Sequence, residues 1–281
     1  MSAEPANANQ IAYWNEAAGQ TWAELQDVLD TQLQPMGAAV QAALALRPGE
    51  RVVDVGCGCG QTTLALAEAV GSDGLALGVD ISEPMLAIAR GRIAGRPQVR
   101  FEHADAQTHT FEAAAFDALH SRFGVMFFED PSAAFANLRR ALKPGGRLAF
   151  LCWRTPAENP VMTAPMAAAQ PYLPPAEPPV PGAPGPFAFA DPERVRSILA
   201  SAGFVDVEIK PQDMPAGGNT LDETLALSMR IGPLGRMLRE NPQVDAKAVV
   251  ADVRKVLAAH LDAQGRVFMG SATWIVTARN P

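Results

Sequence analysis

The feature that most constrains this chain is a short apolar run that leads directly into three closely spaced glycines. The run is RVVDV at 51–55, the glycines are Gly56, Gly58 and Gly60, and the helical stretch TTLALAEAV follows at 62–70. Glycine lets the backbone turn sharply and lets a ligand approach the main chain, while the start of the next helix presents unpaired N–H groups. We therefore predict a strand, a ligand-binding loop and a helix. The ligand stays open at this point, because nicotinamide-binding proteins use a related glycine pattern.

The rest of the chain alternates short apolar runs with stretches of helical periodicity. Parallel strands need crossover connections, so this alternation predicts a parallel sheet with helices on both faces. The last run alternates small and apolar residues, which is typical of an antiparallel strand. The fold class is therefore α/β, with seven strands that are mostly parallel and a last strand that is antiparallel. The predicted strands are 51–55, 75–80, 99–104, 116–121, 147–153, 204–209 and 271–278.

We expect all 281 residues to form one domain in four parts. These are an N-terminal helical cap (1–46), a cofactor-binding core (47–155), a Pro-rich loop (156–191) and a C-terminal part that completes the sheet and the substrate pocket (192–281). Helical periodicity is present at 11–29, 33–46, 192–202, 221–239 and 245–260.

The Pro-rich loop holds many of the prolines in the protein: 12 of the 24 lie between 156 and 192. Proline removes a backbone donor and favours extended structure, so we expect a polyproline-like loop here. Such a loop is either a linker or a lid over the substrate entrance.

The charge balance disfavours whole classes of partner. There are 23 basic and 30 acidic residues, which gives a formal charge of -7, whereas nucleic-acid binding depends on clustered Lys and Arg. The polar N-terminus has no signal-peptide pattern, and no segment approaches the ~18 apolar residues of a membrane span, so we expect a cytoplasmic protein. The three Cys and four His show no metal-site spacing, and we predict no metal. The oligomeric state stays open.

Three aspartates stand at the carboxyl ends of three successive predicted strands, at the sheet edge where ligands bind in open α/β folds. Asp54 precedes the glycines, and its carboxylate would favour an ammonium group and a nearby sulfonium. Asp80 is placed to accept the two hydroxyls of a ribose, with Ile81 packing on an adenine face. Asp105 could accept the adenine amine while the Ala106 N–H reaches a ring nitrogen. This arrangement fits a ligand with an amine, a ribose and an adenine, and no pyrophosphate.

With these residues in place, the chain resembles the class I S-adenosylmethionine-dependent methyltransferases, particularly the group that includes the ubiquinone and menaquinone C-methyltransferases. The resemblance spans about 100 residues and implies a Rossmann-like sheet whose last strand inserts antiparallel beside the sixth. It further implies S-adenosylmethionine as the cofactor, with S-adenosylhomocysteine as the product. The matching stretches are VVDVGCGCG (52–60), GVDISEPML (78–86), ADA (104–106), FDALHSRFGVMFFEDP (116–131) and LRRALKPGGRLAF (138–150). The predicted cofactor-binding residues are Asp54, Gly56, Gly58, Gly60, Asp80, Ile81, Asp105, Ala106 and Ser121.

The end of the fourth strand, HSRF at 120–123, should face the transferred methyl group. His120 is the candidate base and Arg122 the candidate clamp for a substrate oxygen. The alternative, which the sequence leaves open, is that His120 is a hydrogen-bonded strand-end residue and Arg122 an ion-pair partner.

An apolar substrate pocket is predicted from residues far apart in the chain, which could equally be plain core. Its candidate walls are Trp14, Trp22, Phe123, Trp153 and Met229, with Met237 as a substitute for the last.

The predicted function is methyl transfer by in-line displacement to a small, apolar or aromatic molecule. A nicotinamide-dependent oxidoreductase is the first alternative; Asp54 and Gln61, which stands where that glycine pattern needs glycine, argue against it. A non-catalytic module that binds the cofactor is the second. The methylated atom, carbon, oxygen or nitrogen, stays open.

Overall fold

A computed structural model describes residues 6–175, 180 and 182–281. Seven strands form one sheet in the order β3-β2-β1-β4-β5-β7-β6. The strands are β1 (Arg51–Val55), β2 (Leu75–Asp80), β3 (Val99–His103), β4 (Phe116–Arg122), β5 (Leu142–Trp153), β6 (Val205–Thr220) and β7 (Arg266–Arg279). The first five strands pair in parallel, whereas β7 is antiparallel to both β5 and β6. The predicted fold class is confirmed, including the antiparallel last strand inserted beside the sixth.

Helices cover both faces of the sheet, and further helices pack against one end of it. They are α1 (Ala8–Asn15), α2 (Ala17–Glu24), α3 (Gln26–Leu44), α4 (Gln61–Val70), α5 (Glu83–Gly91), α6 (Pro131–Ala141), α7 (Pro160–Ala169), α8 (Pro192–Ser201), α9 (Leu221–Arg230), α10 (Gly232–Glu240) and α11 (Ala246–Ala258). The main hydrophobic core lies between the sheet and its helices, and a second cluster is built from α7, α9, α10 and α11 with β7. In the described part of the chain, no helix has the length and apolar character required to cross a bilayer.

The N-terminal cap differs in detail from the helix predicted over 11–29. The backbone leaves the helical region at Glu16, where ψ is -144°, and is interrupted again at Leu25, so three helices replace one. The third helix, α3, starts well before the predicted 33–46 and continues through Pro35. The cap therefore bends over the carboxyl edge of the sheet.

The Pro-rich region is not one extended loop, and this prediction is wrong for its first part. Helix α7 occupies 160–169, between short 3-10 helices at 156–158 and 170–172. Each of the three has a proline in its first turn. Proline lacks the backbone N–H, but the N–H groups of a first turn make no hydrogen bond within the helix, so none is lost. Part of the predicted loop, at 176–179 and 181, lies outside the described residues.

The C-terminal part contains longer strands than predicted. Strand β6 runs to Thr220, past the predicted end at 209, and includes Pro211 and Pro215. An edge strand tolerates proline because one row of its backbone groups needs no partner, and β6 is at the edge of the sheet. The helical stretch predicted over 221–239 is divided at Ile231 into α9 and α10.

Candidate active site

The glycine loop joins β1 to α4 and packs tightly on the loop after β4. Gly56, Gly58 and Gly60 have φ values of 70°, 53° and 86°, in the left-handed region that favours glycine. A Cβ on Gly56 would lie 2.6 Å from the Cα of Gly124, so the two loops are in backbone contact. At Gly58 the nearest atom to such a Cβ is the Met85 Sδ at 3.6 Å. The loop is therefore packed on one side and has room for a ligand at Gly58.

Asp80 ends β2 directly beside this loop. Its two oxygens accept the backbone N–H groups of Gly58 and Ser82, both at 2.8 Å, and its side chain is buried. Burial, with a smaller contribution from the nearby Asp54 charge, raises the pKa of the carboxyl to about 6, although the backbone donors partly offset this rise. Each carboxylate oxygen offers about two lone-pair positions, so acceptor capacity remains. These properties fit the predicted ribose acceptor.

Asp105 follows β3 and already binds an NH2 group. The Asn7 carboxamide Nδ2 donates to both Asp105 carboxylate oxygens at 2.9 Å. Next to it, Ala106 is buried, and its carbonyl accepts the side-chain amide of Asn137 at 3.0 Å. The Asp105 carboxylate therefore accepts an amide NH2 group in this structure, and its contact with an adenine amine stays a prediction.

Asp54 does not point into the crevice, which corrects its predicted contact with an ammonium group. The carboxylate is completely buried beneath the loop and accepts the hydroxyls of Thr62 and Thr63 at 2.7 and 2.6 Å. Its other oxygen lies 2.8 Å from the His120 Nδ1. Burial alone would raise the pKa of this carboxyl, but His120 and the two hydroxyls lower it below its ordinary value. Asp54 thus fixes the glycine loop and the start of α4.

The two predicted catalytic residues are both held by neighbouring side chains or backbone. The His120 ring is completely buried on Asp54, and its Nε2 has no hydrogen-bond partner among the described residues. The Arg122 guanidinium donates to the Gln61 Oε1 at 2.5 Å and to the Leu33 carbonyl at 3.5 Å. Arg122 is thus held between α3 and the start of α4, which leaves less of its guanidinium for a substrate oxygen. The base role of His120 and the clamp role of Arg122 stay predictions.

Ser121 joins the strands rather than contacting the crevice. It is completely buried, donates to the Val55 carbonyl at 2.7 Å and accepts the Gly124 N–H at 3.2 Å. Its predicted cofactor contact is therefore corrected to a role in holding β1 and β4 together. Ile81, by contrast, is only half-buried at the crevice edge, as expected for a residue that packs on a ligand.

The predicted aromatic walls form two separate groups. Phe123 stacks on Trp153 with ring centroids 4.2 Å apart and planes 6° from parallel, and it does so with φ of 66°, which is rare for a bulky side chain. In the second group the Trp14 ring meets Trp22 and Phe127 edge to face. Strain of this kind clusters at functional sites.

Met229 and Met237 do not join either aromatic group. Both pack against the second hydrophobic cluster, next to α7 and α11. Their predicted place in the pocket wall is not what this structure shows, because the break at Ile231 turns α9 and α10 toward that cluster.

Polar contacts between the cap and the rest of the domain complete the site, and the sequence did not predict them. Asn15 donates to the Ile81 carbonyl at 2.7 Å and accepts the Glu83 N–H at 3.0 Å. Gln61 stands where the nicotinamide-binding pattern needs a glycine. Its side chain donates to the Asp30 carbonyl at 2.9 Å. Asn and Gln next to helix ends are a weak signal, since such residues are common caps. In the described residues no three His, Cys, Asp or Glu side chains approach closely enough to hold a metal ion.

The glycine loop and the first strands of the sheet lie in a segment that resembles known proteins. Residues 52–146 match the family described as a methyltransferase domain. The predicted resemblance to class I S-adenosylmethionine-dependent methyltransferases is confirmed.

The sequence similarity to individual relatives extends over only part of the chain. The demethylmenaquinone methyltransferase of Staphylococcus aureus is 38% identical over 112 residues, which are 40% of this chain and 46% of that protein. The match thus spans less than half the length of the curated relatives.

Solved structures extend the likeness to most of the fold. The phosphoethanolamine N-methyltransferase 2 of Haemonchus contortus superposes with a TM-score of 0.55 at 19% identity, over 88% of this chain and 52% of that one. The cyclase SpnF superposes with a TM-score of 0.53 at 22% identity, over 88% and 81%. At these identities the likeness is one of fold, and a cyclase among the neighbours means that the fold alone does not fix the reaction.

Proposed function

We propose that this protein transfers a methyl group from S-adenosylmethionine to a small, apolar or aromatic acceptor. The observation that carries the proposal is Asp80, a buried carboxylate beside Gly58 that keeps free acceptor capacity and is held by backbone donors. A buried charge without a partner is costly, and its presence at a ligand-binding edge favours a role in binding.

The residues at the edge match the parts of the cofactor. Asp80 would accept the ribose hydroxyls, Asp105 the adenine amine, and the backbone at Gly58 would lie against the amino-acid portion. When bound, the cofactor supplies a methyl group on a positively charged sulfur. The chain itself binds, orients and excludes water, because an in-line displacement depends mainly on position.

The acceptor we favour is a planar aromatic ring such as a hydroquinone. Phe123 directly follows β4, whose end we expect to face the methyl group, and it stacks on Trp153, the last residue of β5. The flat faces of such side chains favour ring-on-ring packing with an aromatic molecule. The name of the Staphylococcus aureus relative, a demethylmenaquinone methyltransferase, supports the same class.

Under this proposal, the acceptor can lose its proton without the buried His120. His120 Nδ1 is held by Asp54 while its Nε2 has no partner among the described residues, so a base function would require the acceptor or a water molecule to reach this buried Nε2. An acceptor with an acidic hydroxyl, for which the phenol pKa of about 10 is a guide, gives up its proton to water more readily than a carbon or alcohol does.

Calorimetric titration tests the cofactor assignment. The protein is titrated with S-adenosylmethionine, S-adenosylhomocysteine, NADH and NADPH, beside the variant Asp80→Asn and the control Asp73→Asn, whose aspartate is exposed on a turn. We expect binding of the first two ligands alone and a loss of about 1 to 3 kcal/mol in Asp80→Asn, the scale for a buried hydrogen-bond partner. Binding of a nicotinamide alone would establish the oxidoreductase alternative.

A turnover assay distinguishes the methyltransferase from the non-catalytic alternative. A protein that binds S-adenosylmethionine but transfers no methyl group to any aromatic hydroxyl compound would be a binding module. The strained Phe123 supports the enzyme instead, since a binding module has no need of a strained wall beside the methyl position.

A further inference from the structure

Asn7, near the start of the described chain, is bound to the Asp105 carboxylate, which is the proposed acceptor of the adenine amine. Asn7 is buried, and its carboxamide Nδ2 donates to both Asp105 oxygens at 2.9 Å. Two reciprocal bonds hold it there: the Asn7 N–H donates to the Glu129 Oε2, and the Asn7 Oδ1 accepts the Glu129 N–H, both at 2.8 Å. The carboxamide is thus fixed at both ends.

This contact leaves Asp105 without acceptor capacity. One oxygen also accepts the Gln107 N–H at 2.9 Å, and the other also accepts the Thr108 hydroxyl at 3.4 Å. Each carboxylate oxygen has about two lone-pair positions, so with Asn7 in place all of them have a donor. An adenine amine can bind Asp105 only where the Asn7 amide binds now.

We propose that Asn7 is a built-in competitor of the cofactor: its carboxamide mimics the adenine amine at Asp105, and cofactor binding displaces it. The inference rests on the proposed function, because it takes the adenine site as given. Displacement costs the free energy of a charge-assisted hydrogen bond, so the affinity for the cofactor is lower than the site alone would provide.

Displacement of Asn7 also reaches the cap. Asn7 precedes α1, and the other end of α1 is attached to the β2–α5 turn through Asn15 and through the Trp14 carbonyl, which accepts the Ser82 hydroxyl at 2.7 Å. Releasing Asn7 frees one end of α1 and leaves the other attached. Helix α1 then acts as a cover hinged at its C-terminal end, and adenine entry opens it.

The variant Asn7→Gly tests the competition directly. Asn7 has φ of 59°, which glycine adopts without strain, and its side chain makes no capping bond to α1, so the change removes the carboxamide and little else. The matched control is Asn9→Gly, which removes an exposed carboxamide from the same helix. Dissociation constants and association rates for S-adenosylhomocysteine are measured for all three proteins.

We expect Asn7→Gly to bind about tenfold more tightly, a change of about 1.4 kcal/mol, and to associate faster, while Asn9→Gly binds like the unmodified protein. Equal or weaker binding by Asn7→Gly would overturn the proposal and make Asn7 a permanent part of the site. If Asn7→Gly does not fold, Asn7→Asp, which opposes two carboxylates, must shift affinity in the same direction.

Hydrogen exchange separates this proposal from the proposed function. In the protein without ligand, Asn7→Gly should accelerate exchange of the α1 amides, and Asn9→Gly should not accelerate it to the same degree. If the unmodified protein binds S-adenosylhomocysteine and Asn7→Gly gains nothing, the competition alone fails. If neither binds, the proposed function fails, while faster exchange in Asn7→Gly would still show that Asn7 holds α1.

Discussion

Asp80→Asn should change the pH dependence of stability in a way that reports the burial of the carboxylate. The pKa of Asp80 is raised from 3.8 to about 6, so the folded protein binds this proton more tightly than the unfolded chain does. Ionised Asp80 therefore opposes folding: its cost is absent below pH about 4, grows as the pH rises, and is fully present above pH about 6. An asparagine at this position carries no such cost.

The magnitude follows from the two pKa values. A shift of about two units at about 1.4 kcal/mol each gives about 3 kcal/mol between pH 4 and pH 7. Asparagine also fails to accept both N–H groups that Asp80 accepts, but this loss does not depend on pH. The change of the stability difference with pH, rather than its absolute size, is therefore the quantity that the structure predicts.

Urea denaturation of the ligand-free protein measures this change. Unfolding free energies are compared for the unmodified protein, Asp80→Asn and the exposed control Asp73→Asn between pH 4 and pH 8. We expect the Asp80→Asn protein to gain stability relative to the unmodified one as the pH rises to about 6, and the control to stay constant. A stability difference that does not vary with pH would refute the description of Asp80 as a buried carboxylate with a raised pKa.

Three further changes test other parts of the site. Affinity for S-adenosylhomocysteine should fall about tenfold per pH unit below pH 6 in calorimetric titration, because only ionised Asp80 accepts two ribose hydroxyls; a flat profile would exclude that role. Gly56→Ala should destabilise the protein by more than 1 kcal/mol in urea denaturation, since its Cβ would meet the Gly124 Cα at 2.6 Å. His120→Leu should cost about 3 to 5 kcal/mol by leaving the buried Asp54 carboxylate with only the Thr62 and Thr63 hydroxyls as donors, whereas His120→Asn should keep turnover; loss of turnover in a folded His120→Asn would identify His120 as the catalytic base.

The strands and the position of two acids were predictable because their signals are local. Apolar runs bounded by glycine and proline locate strands, and the parallel order of the sheet brings Asp80 and Asp105 to one edge. Both lie where the sequence predicted.

Side-chain direction and distant partners were not predictable in the same way. Successive side chains of a strand point to opposite faces, so an error of one position reverses a role, and Asp54 faces α4 and His120 rather than the crevice. The Asn7 contact joins residues 98 positions apart, and no local pattern indicates it. Pro160 misled for a physical reason, since a proline at a helix start loses no helical hydrogen bond, whereas α7 also continues through Pro165 in its interior.

Transfer of a labelled methyl group tests the central proposal most directly. The protein is incubated with S-adenosylmethionine that carries a deuterated methyl group and with a panel of demethylated hydroquinones, and the products are analysed by mass spectrometry beside Asp80→Asn and Asp73→Asn. The account predicts a labelled hydroquinone product with the unmodified protein and the control, and much less product with Asp80→Asn. Binding of S-adenosylmethionine without label in any aromatic acceptor, or equal product from Asp80→Asn, would contradict it.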